Sequence, residues 1–347
     1  MTRTLLPVSW YIDPAAYQRD RQRIFARNWA LFGPEAGLRE PRSWRADTVN
    51  GWPLFVIRGD DGILRGFHNV CRHRAAKLLA DGTGACARIV CPYHAWTYDL
   101  TGALRKAPNF GPEDALDLAA HGLFPVRVEI WNELVFVCLD DEAPGLAAWL
   151  GSLPALCDEF PKPADLALDG GFSAEGDCNW KAYCENTVEG YHLPTVHRRL
   201  NAAVDRANTQ IEAYDEGRLV VFHVTYAGGD TTLRGNQGIW FYRFPGFQGV
   251  AGARSFKAER IEPISPTRMK LTNWSWFASL SPEEKADSIA WNRQITREDM
   301  GICETVQRNF EAGVYHEGVL SPLQEGHLAR LQALVLDAID GAGGHAS

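Results

Sequence analysis

Two cysteine–histidine pairs constrain the fold of this chain more than any other feature of its sequence. The first is Cys71-Arg-His73, and the second, Cys91-Pro-Tyr-His94, follows after 17 intervening residues. Short alternating segments surround both pairs, at 52–58, 63–68, 87–90, 96–100, 126–130 and 134–139. Between them, Gly59-Asp-Asp-Gly62 and Asp99-Leu-Thr-Gly102 carry the residues of hairpin turns. This pattern predicts a small antiparallel β domain that ends near Asp140, with both pairs on tight loops.

The donor atoms of these pairs indicate a metal centre, and two kinds of centre accept them. A single zinc ion binds two thiolates and two imidazoles, but zinc modules usually pair Cys with Cys and His with His. A Rieske [2Fe–2S] cluster instead has two Cys on one iron and two His on the other. Mixed pairs favour this cluster, held by Cys71, His73, Cys91 and His94, and zinc remains the alternative.

A second group of ligands is indicated by the run at 179–200, in which two glutamates precede two histidines. In a continuous helix, Glu185, Glu189 and His192 would occupy positions i, i+4 and i+7 and share one face. His192 and His197 would then lie roughly 140° apart around the helix. Pro194 removes a backbone donor between them, so we expect the helix to end or distort there. Both imidazoles could then turn inward to a metal, although an ordinary pair of core or surface histidines is an equally open interpretation.

A long helix further along the chain offers a third ligand to such a site. Ser281-Pro-Glu-Glu284 combines a capping box with proline at the first helical position, which predicts a helix to about Gly313. Asp299 heads an apolar stripe at helical spacing. The stripe consists of Ile302, Cys303, Val306 and Phe310. A carboxylate in that position is costly unless it is paired or bound to a metal. Asp299 is therefore the best candidate, because Glu298 and Glu304 are expected to point elsewhere.

The remaining segments predict two domains and an N-terminal helical segment. Residues 14–29 are amphipathic and predict a helix, a Pro- and Asp-rich stretch at 153–171 predicts a connector, and 203–280 is again strand-like. We expect a helical segment at 1–34, the β domain at 35–145, and a larger domain at 146–347. The chain has no Gly-x-Gly-x-x-Gly or other phosphate loop, so a nicotinamide or flavin site is not expected.

Composition and charge argue against several classes of function. The net charge is −8 and no basic cluster occurs, so nucleic acid is not an expected partner. The apolar runs are too short for a membrane span and the first residues lack a signal-peptide core, which predicts a cytoplasmic location. The eight cysteines favour free thiols and metal ligands over disulfides. Six of them are expected to be small buried side chains: Cys86, Cys138, Cys157, Cys178, Cys184 and Cys303.

The first motif, Cys-x-His-x17-Cys-x2-His in a glycine-punctuated β domain, resembles the Rieske domain of ring-hydroxylating oxygenase α subunits. Rieske proteins of respiratory complexes are less similar, because they carry an extra cysteine pair where this chain has Ala76 and Tyr93. The run at 179–200 resembles the catalytic domain of the same family, and 298–308 resembles its third-ligand helix. The resemblance implies an α+β fold. A small antiparallel β Rieske [2Fe–2S] domain would precede a larger catalytic domain whose antiparallel sheet wraps around a long C-terminal helix, a helix-grip-like arrangement.

The resemblance also implies the cofactors and partners. A [2Fe–2S] cluster would be held by the two Cys–His pairs, and a mononuclear Fe(II) by His192, His197 and Asp299, the facial triad of non-haem oxygenases. Glu189 would hydrogen-bond His192 and pass electrons from His94 of the partner subunit, which implies a homotrimer. The electrons would come from a separate NAD(P)H-dependent reductase with flavin or iron–sulfur centres, and no membrane partner is expected.

The implied function is that of a terminal oxygenase, which uses O2 to hydroxylate or oxidatively demethylate a small organic substrate. Glutamate at position 189 resembles the family members that act on quaternary ammonium compounds such as carnitine or betaines. A mono- or dioxygenase of a carboxylated aromatic compound is one alternative. A Rieske electron-transfer protein without catalysis is the alternative from another class. Six aromatic side chains either form core or line the substrate pocket: Trp240, Phe241, Phe244, Phe247, Trp274 and Trp276.

Overall fold

The computed structural model describes residues 2–112, 115–227 and 236–340. The chain divides into two compact units, of which one is Asn28–Leu146 and the other combines Met1–Arg27 with Ala147–Ser347. The division of the chain into segments 1–34, 35–145 and 146–347 remains a prediction. None of the helices in the described ranges combines the length and the hydropathy that a membrane span requires.

The N-terminal segment contains a short strand and a helix. The strand is β1 (Thr2–Arg3), and the helix α1 (Pro14–Arg19) begins after Asp13, whose side chain accepts from Ala15 N at 2.8 Å. A π-helical turn (Asp20–Ile24) and a 3-10 turn (Phe25–Arg27) continue the helix. The helix predicted at 14–29 is therefore confirmed as far as residue 27.

The Asn28–Leu146 unit is an antiparallel β structure. Its strands within the described ranges are β2 (Ala30–Pro34), β3 (Ser43–Val49), β4 (Trp52–Arg58), β5 (Leu64–His68), β6 (Gly82–Ala85), β7 (Ile89–Val90), β8 (Thr97–Tyr98), β9 (Leu104–Lys106), β10 (Pro125–Trp131) and β11 (Leu134–Cys138). One sheet has the order β2-β11-β10-β5-β4-β3-β6, and a smaller one the order β7-β8-β9. Both predicted hairpin turns form, since Gly62 N donates to Gly59 O and Gly102 N to Asp99 O, each at 3.0 Å.

The other unit combines helices with a second antiparallel sheet. Its helices are α2 (Leu146–Leu150), α3 (Leu153–Cys157), α4 (Trp180–Thr187), α5 (Leu193–Val196), α6 (Arg198–Ala203), α7 (Pro282–Glu311) and α8 (Gly326–Asp340). Its strands are β12 (Ala167–Gly176), β13 (Gln210–Tyr214), β14 (Leu219–Thr225), β15 (Gln237–Arg243), β16 (Phe247–Gly252), β17 (Ser255–Ser265), β18 (Arg268–Phe277) and β19 (Val319–Leu320). The sheet order is β12-β18-β17-β16-β15-β14-β13, and β19 pairs with β1. The strand-like texture predicted at 203–280 is confirmed, except that 228–235 lie outside the described residues.

The long helix α7 begins where its capping box predicts. Ser281 Oγ accepts from Glu284 N at 3.2 Å, and Glu284 Oε2 accepts from Ser281 N at 2.7 Å. α7 packs against β12 and α4. Its buried stripe includes Thr296, Met300, Cys303, Gln307 and Phe310. The predicted stripe is wrong at Ile302 and Val306, which are 40% and 38% exposed. The spacing of apolar residues along α7 is compatible with two neighbouring faces of the helix. The contacts with β12 and α4 decide which of these faces is buried.

The predicted connector at 153–171 is wrong in its last five residues, because β12 begins at Ala167 and pairs with β18. The register of this pairing shifts between Leu168 and Gly171. Gly170 and Gly171 have φ angles of +125° and +150°, and a Cβ on Gly171 would lie 2.3 Å from Asn273 O. Glycines at this point therefore mark a β-bulge at a close backbone approach and not an irregular linker.

We expect Gly171→Ala to destabilise this unit by about 2 kcal/mol or more, because the backbone oxygen of Asn273 cannot move aside like a side-chain tip. Gly301→Ala is the matched control. An added Cβ at Gly301 meets no described atom within 4 Å, and alanine stabilises a helix interior by about 0.5–1 kcal/mol relative to glycine. Urea unfolding followed by circular dichroism measures both variants, and similar midpoints would contradict the close approach at Gly171.

Candidate active site

The residues Cys71, His73, Cys91 and His94 lie on two loops that fold alike. In the first loop, Cys71 N donates to Ala76 O at 2.8 Å, and Ala75 N donates to Cys71 O at 3.0 Å. In the second, Cys91 N donates to Trp96 O at 2.8 Å, and Ala95 N donates to Cys91 O at 3.0 Å. Ala75 and Ala95 both have positive φ angles, of 57° and 56°. The same turn therefore presents a cysteine and a histidine from each loop.

The donor atoms of the two loops face one another. The thiols of Cys71 and Cys91 belong to one buried core cluster, and the rings of His73 and His94 lie 4.7 Å apart between centroids. The Nδ1 atoms of both histidines are buried, and no described residue forms a hydrogen bond with them. Buried nitrogens without a partner are costly, and a metal ligand bond would satisfy them. Two thiolates and two imidazoles are the donors of a Rieske cluster, so these residues fit that cofactor.

Tyr98 supports the Cys71 thiol, a contact that the sequence did not predict. Its hydroxyl oxygen lies 3.4 Å from Cys71 Sγ and accepts from Arg72 N at 3.1 Å. Because the Tyr98 oxygen accepts from the backbone N–H of Arg72, the hydroxyl proton of Tyr98 can point toward the sulfur of Cys71. Hydrogen bonds to ligand sulfurs tune the reduction potential of an iron–sulfur cluster.

In the other unit, His192, His197 and Asp299 come together. One ligand atom from each of the three lies within 4.8 Å of the other two. Asp299 Oδ1 is 2.8 Å from His197 Nε2 and 3.5 Å from His192 Nε2. Asn186 Nδ2 donates to the same oxygen at 2.7 Å, which the sequence did not predict. Two imidazoles and one carboxylate are the donor set of a facial triad, so these residues fit a mononuclear Fe(II).

A carboxylate holds the outer nitrogen of each of these histidines. Glu189 Oε1 lies 2.5 Å from His192 Nδ1, and Glu298 Oε2 lies 2.7 Å from His197 Nδ1. With Nδ1 held in this way, Nε2 of each ring points toward Asp299, where a metal needs it. The prediction that Glu298 points elsewhere on α7 is wrong, because α7 turns Glu298 toward His197. Glu304 does point elsewhere and accepts from Asp177 N at 3.2 Å.

The predicted common face of Glu185, Glu189 and His192 is wrong, because α4 ends two residues before Glu189. Glu185 is directed away from the histidines. It accepts from the Tyr11 hydroxyl at 2.5 Å and from Gln332 Nε2 at 3.0 Å. The sequence pattern suggested one continuous helix, but the structure has the helix α4, a turn and the short helix α5 in its place.

Glu189 itself forms the turn from α4 into α5. Its Oε2 accepts from the backbone N–H groups of Tyr191 and His192. The helix was expected to end or distort at Pro194, but it ends earlier. Pro194 lies in the first turn of α5, where its missing N–H leaves no hydrogen bond unmade. The carboxylate of Glu189, and not the proline, directs the chain so that His192 faces His197.

Burial and charge oppose each other at these groups. Burial lowers the pKa of His192, but Asp299 and Glu189 outweigh it and raise the pKa to about 9. Burial likewise lowers the pKa of His197, and Asp299 and Glu298 raise it above its usual value. Burial raises the pKa of Asp299, whereas the two histidines bring it below its usual value. A divalent cation at this site therefore competes with imidazolium protons.

A cavity of about 160 Å³ opens beside His192, His197 and Asp299. Aromatic side chains line one part of it: Tyr183, Phe222, Tyr226, Trp240, Phe241 and Tyr242. Polar side chains line another part: Gln248, Lys257, Glu259, Ser288 and Asn292. A small substrate in this cavity would meet aromatic faces and buried polar groups next to the three metal-ligand candidates.

Two of the six aromatics considered from the sequence, Trp240 and Phe241, line the cavity. Phe244, Phe247 and Trp276 are buried in the core, and Trp274 lies 5.7 Å from the Arg260 guanidinium. Four further aromatic residues of the lining were not among those six: Tyr183, Phe222, Tyr226 and Tyr242. Alternate residues of a strand face opposite sides of its sheet, so the lining depends on which face of each strand meets the cavity.

Two family models match this chain. Residues 28–129 match the Rieske [2Fe-2S] domain, and residues 163–341 match the catalytic domain of the ring-hydroxylating alpha subunit. The second match alone spans 179 of the 347 residues. The chain belongs to the ring-hydroxylating oxygenase α-subunit family.

Relatives of this oxygenase include enzymes with assigned activities. Choline monooxygenase of Atriplex hortensis is 28% identical over 330 residues, which cover 92% of this chain and 75% of the relative. The glycine betaine monooxygenase oxygenase subunit of Chromohalobacter salexigens is 34% identical over 209 residues, which cover 59% of this chain and 46% of the relative. A crystal structure of a quaternary ammonium Rieske monooxygenase with its substrate L-carnitine has a TM-score of 0.84 at 25% identity, with 97% of this chain and 96% of that chain covered.

This oxygenase is an oxidoreductase that incorporates O2 and uses a Rieske [2Fe–2S] cluster and a mononuclear iron. The predicted α+β fold is confirmed, with a Rieske domain before a catalytic domain that contains an antiparallel sheet and a long helix. A zinc module or an electron-transfer protein without catalysis does not account for the match to the catalytic domain at 163–341.

We expect Glu298→Leu to weaken metal binding at the His192 site about 10- to 100-fold, because His197 loses the acceptor that orients its ring. Glu298→Gln retains an acceptor oxygen and should keep most of the affinity. Titration of the metal-free protein with Co(II), followed by visible absorption, measures the affinity directly. Glu304→Leu is the control on the same helix, and an equal loss of affinity in this variant would contradict the role of Glu298.

Proposed function

We propose that this oxygenase oxidises a small quaternary ammonium compound. The observation that carries this proposal is the composition of the cavity beside the triad, where six aromatic side chains lie together with Glu259, a carboxylate that is 6% exposed. Aromatic faces and carboxylates attract a trimethylammonium group. The names of the relatives, which refer to choline, glycine betaine and carnitine, support the same class of substrate.

We further infer which residues hold the cofactors. The [2Fe–2S] cluster is assigned to Cys71, His73, Cys91 and His94, and Fe(II) to His192, His197 and Asp299. The first assignment is supported by the two matching loops and the unpartnered Nδ1 atoms, and the second by the convergence of three ligand atoms within 4.8 Å. Both groups of residues fall within the matched domains.

When bound, the cluster supplies single electrons and the mononuclear iron activates O2. The residues of the chain prepare the site for that chemistry. Glu189 and Glu298 each hold an Nδ1 atom, which leaves both Nε2 atoms as donors and fixes the planes of the rings. Asn186 holds Asp299 Oδ1. The aromatic lining shields the methyl groups of a bound substrate from water and keeps them next to the triad.

A separate NAD(P)H-dependent reductase and a homotrimer belong to the same proposal. The relative named as an oxygenase subunit supports a separate reductase component. In the homotrimer, Glu189 connects His192 to His94 of the partner subunit. In support, Glu189 Oε1 already lies within hydrogen-bond distance of His192 Nδ1. The cytoplasmic location stays a prediction.

We expect the chemically reduced protein, once freed of reductant, to oxidise a quaternary ammonium compound on exposure to O2. Two pools are offered separately: choline, glycine betaine and L-carnitine in one, and carboxylated aromatic compounds in the other. Mass spectrometry with 18O2 identifies the products, and a formaldehyde assay detects demethylation. Product from the aromatic pool alone would contradict the proposal of a quaternary ammonium substrate and support a mono- or dioxygenase of carboxylated aromatic compounds. The same protein without added O2 is the control.

We expect Glu189→Gln to retain the cluster and the iron but to lower coupled turnover about 100-fold or more. The glutamine oxygen still accepts from His192 Nδ1, whereas the charged link to the partner subunit is lost. Metal analysis and acid-labile sulfide measure the cofactors, and substrate-dependent consumption of O2 measures coupled turnover. Glu304→Gln is the control. Loss of iron from Glu189→Gln would show that Glu189 serves only to hold the metal site together.

A further inference from the structure

A buried carboxylate lies in a row of side chains across the cavity wall. Glu259 on β17 is paired across strands with Gln248 on β16 and with Asn273 on β18. Tyr242 on β15 is the next residue in the row, opposite Gln248. Three members of the row line the cavity: Tyr242, Gln248 and Glu259. The row therefore joins an aromatic part of the wall to a polar part.

The hydrogen bonds of Glu259 come from uncharged amides. Gln248 Nε2 donates to its Oε2 at 2.6 Å, and Asn273 Nδ2 donates to its Oε1 at 2.7 Å. Ser275 Oγ donates to Asn273 Oδ1 at 2.9 Å, which fixes the orientation of that amide. Amide donors satisfy the oxygen lone pairs, but they do not cancel a negative charge. A buried carboxylate is costly unless a cation neutralises it.

Gln248 provides a second indication that a ligand binds next to Glu259. Its side chain is 9% exposed, and its Oε1 atom is buried without a hydrogen-bond partner among the described residues. Glu259 and Gln248 therefore place a carboxylate and an unmatched carbonyl oxygen beside the electron-rich ring of Tyr242. All three present negative potential to the cavity. On the same strand, the cationic group of Lys257 donates to Asn292 Oδ1 at 2.9 Å, on α7.

We propose that Glu259, Gln248 and Tyr242 form the binding site for the cationic head group of the substrate, and that this site selects a cation without N–H groups. The inference rests on the proposed function, because it assumes a quaternary ammonium substrate. Such a head group cannot donate hydrogen bonds, so the protein itself must satisfy the oxygens of the carboxylate that faces it. Gln248 and Asn273 do this for Glu259. Because Glu259 and Asp299 line one cavity of about 160 Å³, a head group held at Glu259 stays next to the triad.

Pairs of ligands that differ only in charge test this site. Choline is compared with 3,3-dimethylbutan-1-ol, and glycine betaine with 3,3-dimethylbutanoate, because a tert-butyl group has the shape of trimethylammonium. Calorimetric titration of the complete protein, with both cofactors and without O2, measures the four affinities. We expect the wild type to prefer the trimethylammonium member of at least one pair by about 10-fold or more. Equal affinities for both members of each pair would overturn the proposal without any variant.

Substitutions at Glu259 test the residue itself. Glu259→Gln should abolish the preference for the trimethylammonium ligand while binding of its tert-butyl analogue stays within about threefold. Glu259→Asp keeps the charge and should keep the preference, although the shorter side chain weakens binding. Glu185→Gln is the matched control, since Glu185 is a half-buried carboxylate that accepts hydrogen bonds from uncharged groups but lies outside the cavity. Thermal unfolding and the visible spectrum of the cluster verify that each variant is folded.

The outcomes separate this inference from the proposed function. If the wild type oxidises a quaternary ammonium compound and Glu259→Gln keeps the preference for the trimethylammonium ligand, the cation site lies elsewhere and the proposed function stands. If Glu259→Gln weakens both members of a pair equally, Glu259 only supports the fold of the cavity. If the wild type neither binds nor oxidises any of these ammonium compounds, both proposals fail together.

Discussion

The packing of α7 against α4 is the constraint on which the catalytic site depends. His197 and Asp299 are 102 residues apart in the sequence, yet their side-chain atoms lie 2.8 Å apart. Polar contacts between the helices fix their relative position: Asn179 N donates to Gln307 Oε1 at 3.0 Å, and Cys303 Sγ lies 3.7 Å from Ala182 O. A slip of one helical turn, about 5.4 Å, would separate Asp299 from both histidines. The donor set therefore exists only when this pair of helices is correctly packed.

Buried charges organise the same region. Lys181 and Asp20 form an ion pair in which each side chain is 1% exposed, and Trp180 Nε1 donates to Asp20 Oδ2 at 2.8 Å. This pair connects the N-terminal segment to α4. Breaking a buried pair is costly, because the remaining charge has no water to solvate it. Glu259 differs from Asp20, since its hydrogen-bond partners are neutral and its charge faces the substrate cavity.

Predictions that depended only on residues close together in the sequence were confirmed. The capping box of α7 and both glycine hairpin turns are formed by residues within a few positions of each other, and the structure has them where the sequence predicts. The failures depended on contacts between distant parts of the chain. The common face of Glu185 and Glu189 failed because α4 ends before Glu189 is reached. The direction of Glu298 and most of the cavity aromatics required knowledge of which face of an element meets its neighbour.

The sequence by itself determined the candidate donor residues, their spacing and the family of the oxygenase, because each metal centre requires donors of a particular type. Only the tertiary structure decided that Glu298 holds His197, that Glu185 turns away to Tyr11, and that Glu259 reaches the cavity. The physical reason is that helical and strand periodicities are compatible with more than one face. Burial and hydrogen bonding between distant segments select among them, and those contacts are set by the fold as a whole.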